Sequence, residues 1–182
     1  MALLLPDYRV RRVTDIQPEF LHGIGVRALL LDVDNTLSTH GGHTPLRGLA
    51  EWIGTMKAAG VKLLILSNAK RRRVKPFADK LGLDFQSLSL KPLPFGYLRA
   101  LGRLGLKRRQ AAMVGDQVFT DALGGNLSGV TTILVEPILA ETGRSFVLRR
   151  KWERRILSRH EIPAPRQMTD GKQADNSRSI NP

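Results

Sequence analysis

A chain of 182 residues with 42% hydrophobic side chains is long enough for one domain with a sizeable core, and its apolar runs fall well short of the ~20 residues that span a bilayer. The absence of cysteine excludes a disulfide framework and thiolate metal sites, and a short apolar start followed by basic residues does not match a secretory leader, so a cytoplasmic protein is expected. The formal charge of +13 calls for an anionic partner: a phosphorylated substrate, an acidic membrane or nucleic acid.

Residues 1–20 carry three basic and three acidic side chains, residues 21–143 sixteen and nine, and residues 144–182 ten and four. The positive excess is therefore shared between the middle of the chain and its C-terminal part. We expect an N-terminal extension over 1–20, a catalytic domain over 21–143, a basic amphipathic helix over 144–160, and a disordered tail over 161–182, where too few apolar residues remain to offset ordering entropy.

From Arg27 to Glu136 short apolar runs alternate with amphipathic stretches, the pattern of repeated βα units around a parallel sheet. The expected strands are 27–33, 61–66, 84–88, 110–115 and 131–135. In the first connection Thr44 and Pro45 read as N-cap and first turn, Leu46, Leu49, Ile53 and Met56 recur at helical spacing, and Gly60 sits where a left-handed C-terminal cap belongs. Further helices are expected over 70–81, with Pro76 inside it, and over 94–104 and 118–128.

Three of these strands run directly into a polar residue: Leu31 into Asp32, Leu66 into Ser67, and Gly115 into Asp116. The carboxyl ends of parallel strands share one edge of the sheet, where ligands bind, so three distant groups converge there. Polar residues also simply open loops, which would account for any one of them but poorly for the set. Asp32 and Asp34 stand two apart after a buried strand, a spacing that supplies one carboxylate as nucleophile and a second to move protons. Crowded carboxylates repel unless a cation offsets them, and Asp116 completes an all-oxygen set suited to Mg²⁺.

The order Asp32-Val33-Asp34-Asn35-Thr36, a strand ending in Ser67, then Lys91, then Gly115-Asp116 with Asp121, resembles the four motifs of the haloacid dehalogenase (HAD) superfamily of phosphatases over residues 20–137. The fuller stretches LDVDNTL, KPLPFGY and GDQVFTDALGGN are similar to its subclass IIIA, YqeG-type group, whose relatives include phosphatases acting on phosphatidylglycerophosphate. The resemblance implies an α/β, HAD-like Rossmannoid fold, a central parallel sheet flanked by helices. It implies Asp32 as nucleophile and Asp34 as general acid and base, with Ser67 on the transferring phosphoryl oxygens and Lys91 neutralising developing charge. It further implies Mg²⁺ held by Asp32, the backbone carbonyl of Asp34, and Asp116, with Asp121 supporting. From position alone Lys91 is equally a solvated surface lysine. Asn68 is a candidate substrate contact, and Thr36 and Asn35 have supporting loop roles. His40 and His43 flank two glycines with no third ligand in view, so a loop at the substrate entrance is preferred to zinc.

The connections are too short for a large cap domain, so the crevice is expected to be open and to suit a phosphate on something large. If 144–160 is helical, Leu148, Trp152, Ile156 and Leu157 share one side, interrupted by Arg149 and Arg159, and Arg150, Lys151, Arg154 and Arg155 the other. Such a helix either lies in an anionic membrane surface or packs Trp152 and Leu148 on the core. The leading expectation is a Mg²⁺-dependent phosphomonoesterase acting on a lipid phosphate, in peripheral contact with the inner membrane surface. The alternatives are a phosphatase for phosphoprotein or nucleic-acid ends, and a non-catalytic RNA- or ribosome-binding protein; an aromatic content of 5% leaves few stacking platforms for nucleic acid, the less favoured partner.

Overall fold

The computed structural model describes residues 2–39, 44–138, 144–158 and 162–163. Six strands, β1 (Tyr8–Val10), β2 (Ala28–Leu31), β3 (Lys62–Leu66), β4 (Asp84–Gln86), β5 (Ala111–Gly115) and β6 (Thr131–Val135), form one sheet in the order β1-β6-β5-β2-β3-β4. Every pairing is parallel. The helices are α1 (Pro18–Gly23), α2 (Leu49–Ala58), α3 (Arg71–Leu81), α4 (Pro94–Leu104), α5 (Leu123–Ser128) and α6 (Arg144–Leu157). No described helix is long and apolar enough to cross a membrane.

The central strand β2 is buried along its whole length, so it reads as an unbroken apolar run rather than an alternation. Its pleat sends Leu29 and Leu31 into one core layer, with Trp52, Ile53, Met56, Val74 and Phe77 of α2 and α3. Ala28 and Leu30 face the other, with Tyr97, Ala100 and Leu101 of α4. Truncating a leucine such as Leu30 to Ala would cost about 2–5 kcal/mol through lost transfer and a residual cavity.

All five expected strands form: β6 has the expected bounds, β3 and β5 start one residue later, β4 ends two residues earlier, and β2 is trimmed at both ends. The segment expected to be an N-terminal extension is instead part of the packed unit: β1 pairs with β6, and Val13, Ile16 and Phe20 are buried in the first core layer. The indole N–H of Trp52 donates to the Ile16 carbonyl at 2.9 Å, which ties this segment to α2. The first long helix starts later than Thr44 and Pro45 imply, because Pro45 bridges back to Ser38 and Gly48 takes the left-handed conformation at the N-cap. Over 118–128 the chain opens as a π-helical turn, Val118–Ala122, and only then becomes α5. His40 and His43, and the tail after Pro163, lie outside the described residues.

Candidate active site

The strand register brings the polar residues together. Leu31 is paired with Ile65 on one side and Val114 on the other, so Ser67 and Asp116 each stand one residue farther along their strands than Asp32. The amide of Asp32 continues the ladder by donating to the Val114 carbonyl at 2.9 Å. Asn35 then takes a left-handed conformation, φ 58°, tolerated by Asn, and turns the chain so that Leu37 and Ser38 both donate back to the Val33 carbonyl.

Lys91 is the centre of the cluster, buried and not solvated. Its ammonium donates to Asp32 Oδ1 at 2.6 Å and to Asp121 Oδ1 at 2.8 Å. Burial alone would favour the neutral amine, but Asp121 and Asp32 outweigh it and hold the lysine charged well above its ordinary range. Burial pushes the Asp32 carboxyl up to about 6, opposed by Lys91 and reinforced by Asp121. Carboxylate oxygens of Asp32, Asp116 and Asp121 all lie within 4.8 Å of one another. Three ionised carboxylates around one ammonium leave a formal charge of −2 in a buried site, and these hard oxygen donors fit a divalent cation such as Mg²⁺.

The support for this cluster comes from glycines and amides. A Cβ on Gly115 would collide with the Asp121 carboxyl, so only glycine lets the π-turn carry Asp121 this close to β5. Asp121 Oδ2 also accepts the Gln117 amide at 3.1 Å. Tyr97, fully buried beneath the turn, donates its hydroxyl to the Thr120 carbonyl at 3.1 Å. Asn68 is engaged with the Lys91 backbone, donating to its carbonyl at 2.9 Å and accepting its amide at 2.7 Å, so it holds the lysine in place. Ser67 is buried at the end of β3 with its Oγ accepting the Ala69 amide at 3.1 Å, and the Thr36 hydroxyl is buried without a hydrogen-bond partner among the described residues.

Two participants lay beyond the motif reading. Asp34 is not one of the three clustered carboxylates; Arg73 of α3 forms an ion pair with it. The run Arg71-Arg72-Arg73 gave no signal as to which arginine turns inward. Glu153 of α6 is buried, and its carboxylate accepts the Val118 amide at 3.0 Å, the first amide of the π-turn. The C-terminal helix is thus docked through an acid, while Trp152, expected either on the core or in a membrane, is 57% exposed.

Comparison with known proteins agrees with this geometry. Residues 9–129 match the family model for haloacid dehalogenase-like hydrolases. The chain is 40% identical over 154 residues to "Probable phosphatase YqeG" of Bacillus subtilis, covering 85% of this chain and 90% of that protein. It is 32% identical over 100 residues to "Pyrophosphatase PpaX" of Halalkalibacterium halodurans, covering 50% of this chain and 46% of that one. Among solved structures, a HAD family hydrolase from Deinococcus radiodurans with bound phosphate and sodium superposes with a TM-score of 0.55 at 19% identity, covering 70% of this chain and 88% of that chain. An uncharacterized protein from Listeria monocytogenes also gives 0.55 at 19% identity, over 65% of this chain and 84% of the other. At such identities the structural likeness establishes the fold, while the family match and the Bacillus relative carry the assignment. The chain belongs to the haloacid dehalogenase-like hydrolases and, within them, to the YqeG-like phosphatases.

Proposed function

We propose that this phosphatase is a Mg²⁺-dependent phosphomonoesterase working through a phosphoryl-Asp32 intermediate on a phosphate carried by a lipid, with phosphatidylglycerophosphate as the candidate substrate. The observation that carries the chemistry is the buried cluster of Asp32, Asp116 and Asp121 around Lys91 at the open edge of the sheet.

In the first half-reaction a carboxylate oxygen of Asp32 attacks phosphorus and the bond to the ester oxygen breaks. Protonated Asp34 delivers a proton to that leaving oxygen, and Arg73 orients its side chain from α3. Ser67 stands at the end of the neighbouring strand to receive phosphoryl oxygens. In the second half-reaction Asp34 takes a proton from water as the water oxygen attacks phosphorus and Asp32 leaves. Lys91 fixes the Asp32 carboxylate throughout and balances part of the charge. Asp32 and Asp116, with the backbone carbonyl of Asp34, are the residues that would hold Mg²⁺, whose part when bound is to offset the negative charge of phosphate and carboxylates.

The lipid reading is supported by openness and charge. Between Asp32 and β3 the described chain supplies one turn and α2, with no cap folded over the crevice. The same sheet edge carries a cavity of about 500 Å³ lined in part by Arg11, Arg12 and Arg47, an anion-attracting surface beyond the reacting phosphoryl group. The same openness suits a phosphatase for phosphoprotein or nucleic-acid ends. Phosphate release measured on phosphatidylglycerophosphate in mixed micelles, a phosphopeptide, a 5′-phosphorylated oligonucleotide and an aryl phosphate separates these readings. The lipid should be turned over fastest, Asp32→Asn and EDTA should each abolish activity, and Mg²⁺ should restore the chelated wild type. Metal-independent turnover, or turnover by Asp32→Asn, would overturn the mechanism; preference for peptide or oligonucleotide would overturn the lipid.

A further inference from the structure

The connection from β4 into α4 turns its polar side chains inward and its apolar ones outward. Ser89 and Lys91 are buried, whereas Leu88, Leu90, Leu93, Phe95 and Leu98 are between 39% and 66% exposed. Five large apolar side chains exposed on one short stretch beside the nucleophile's lysine are a concentration that scattered surface leucines do not make. Leu88 and Leu90 both adopt left-handed backbone conformations, φ 50° and 55°, which favour Gly or Asn and disfavour leucine. Folding therefore gains nothing from leucine at these two places.

The loop that displays the patch is pinned. Leu88 donates its amide to the Ala69 carbonyl at 3.1 Å, Ser89 to Ser67 at 3.0 Å, and Leu93 to Leu90 at 2.8 Å. The first two bonds fasten it to the segment between β3 and α3, next to which Lys70, Arg71 and Arg72 are exposed, and Arg99 is exposed immediately after Leu98. Neither 67–78 nor 86–103 contains an aspartate or glutamate, so the segments that carry the exposed apolar and cationic side chains bring no acid of their own. A pinned apolar loop with exposed cations beside it matches the interface of an anionic bilayer: acyl chains for the leucines and phenylalanine, lipid phosphates for Lys70, Arg71, Arg72 and Arg99.

We propose that the 88–98 face is the surface by which this protein docks on an anionic lipid bilayer. Docked there, the loop that carries Lys91 lies at the headgroup level, which brings a lipid phosphate close to the site without its leaving the membrane. That consequence rests on the proposed lipid phosphatase activity; the docking itself does not.

The test is co-sedimentation of the full chain with vesicles of phosphatidylcholine alone or of equimolar phosphatidylcholine and phosphatidylglycerol, beside turnover of a soluble aryl phosphate. The wild type should bind the anionic vesicles and release them as salt rises. Leu90→Asn with Phe95→Ser should cut binding at least about tenfold, since each removes exposed apolar surface. Leu90→Asn, which suits a left-handed backbone, should not lower thermal stability. Arg71→Glu with Arg72→Glu should erase the preference for anionic over neutral vesicles, and Trp152→Ser on α6 should change little. All variants should keep aryl phosphate turnover, which shows an intact site. Vesicle binding by a wild type that hydrolyses no phosphate ester would leave the docking standing and sink the phosphatase reading. Unchanged binding by the Leu90/Phe95 variant, no binding by wild type, or light scattering showing that the patch instead joins two copies of the chain would overturn the docking.

Discussion

Removing the buried cation by Lys91→Met tests whether the cluster is held together by charge. The side chains of Lys91 and Asp121 are each 3% exposed and that of Asp32 is 11% exposed, so water screens them little. At an effective dielectric constant of about 20, each ion pair at these distances is worth roughly 6 kcal/mol of Coulomb energy, and each carboxylate pair near 5 Å repels by roughly 3 to 4 kcal/mol. Much of the attraction only repays desolvation, so the expected net loss is about 3–5 kcal/mol, the range for deleting one partner of a buried pair. That loss is a large share of the ~5–15 kcal/mol that domains possess. Urea unfolding followed by tryptophan fluorescence reads it well, because Trp52 is buried and Trp152 already exposed. In EDTA at pH 8 the variant should be destabilised by this amount, and Mg²⁺ should recover more stability in the variant than in wild type, because the divalent ion takes over the lost charge. A variant within about 1 kcal/mol of wild type, or equal Mg²⁺ responses, would refute the account of Lys91 as the cluster's counter-ion.

The raised Asp32 carboxyl binds its proton more tightly folded than unfolded, so in EDTA wild-type stability should fall as pH rises from about 4 to about 6. Asp32→Asn lacks this titration and should gain roughly 3 kcal/mol on wild type across that window; parallel stability curves would remove the linkage. Asp34→Asn should lower turnover by ~10²–10⁴, more for alkyl than for aryl phosphates, because a good leaving group needs less proton donation; equal losses in single-turnover phosphoenzyme formation would acquit Asp34. Arg73→Met should lower kcat on the alkyl ester and leave the aryl ester nearly untouched, with Arg73→Lys intermediate; equal effects on both would make Arg73 a structural residue. Glu153→Ala orphans the buried Val118 amide and should cost about 1–3 kcal/mol and reduce turnover of soluble and lipid esters alike, whereas a purely peripheral helix would leave the soluble ester unchanged.

The central sheet was legible because its signal is strong and local. Apolar runs such as Ala28 to Leu31, and Leu63 to Leu66, are buried on both faces and end in polar residues, so pattern alone places the strands and their carboxyl edge. β1 was not legible because it has only three residues, interrupted by Arg9, and acquires its strand character from pairing with β6. The late start of α2 reflects tertiary competition: Pro45 pairs with Ser38 and Leu46 donates to the Leu37 carbonyl, so residues with helix-capping chemistry close the loop after the first motif instead.

The site divides along the same line. Asp32 and Asp116 stood out because each directly follows a buried strand, where register does the positioning, whereas Asp121 in the π-turn and Lys91 in the loop after β4 were singled out only through the family resemblance. Arg73 and Glu153 were not recognisable, since each enters through a contact of long sequence separation and belongs to a stretch with an ordinary reading: a basic helix face, a charged C-terminal helix. Glu153 also changes how the C-terminal segment is best probed. Deleting 144–182 removes the carboxylate that holds the first amide of the π-turn together with the basic surface, so a loss of lipid activity after truncation has two causes. Trp152→Ser and charge reversal at Arg154 and Arg155 leave Glu153 in place, and only an effect of these substitutions on vesicle binding would assign the helix a membrane role of its own.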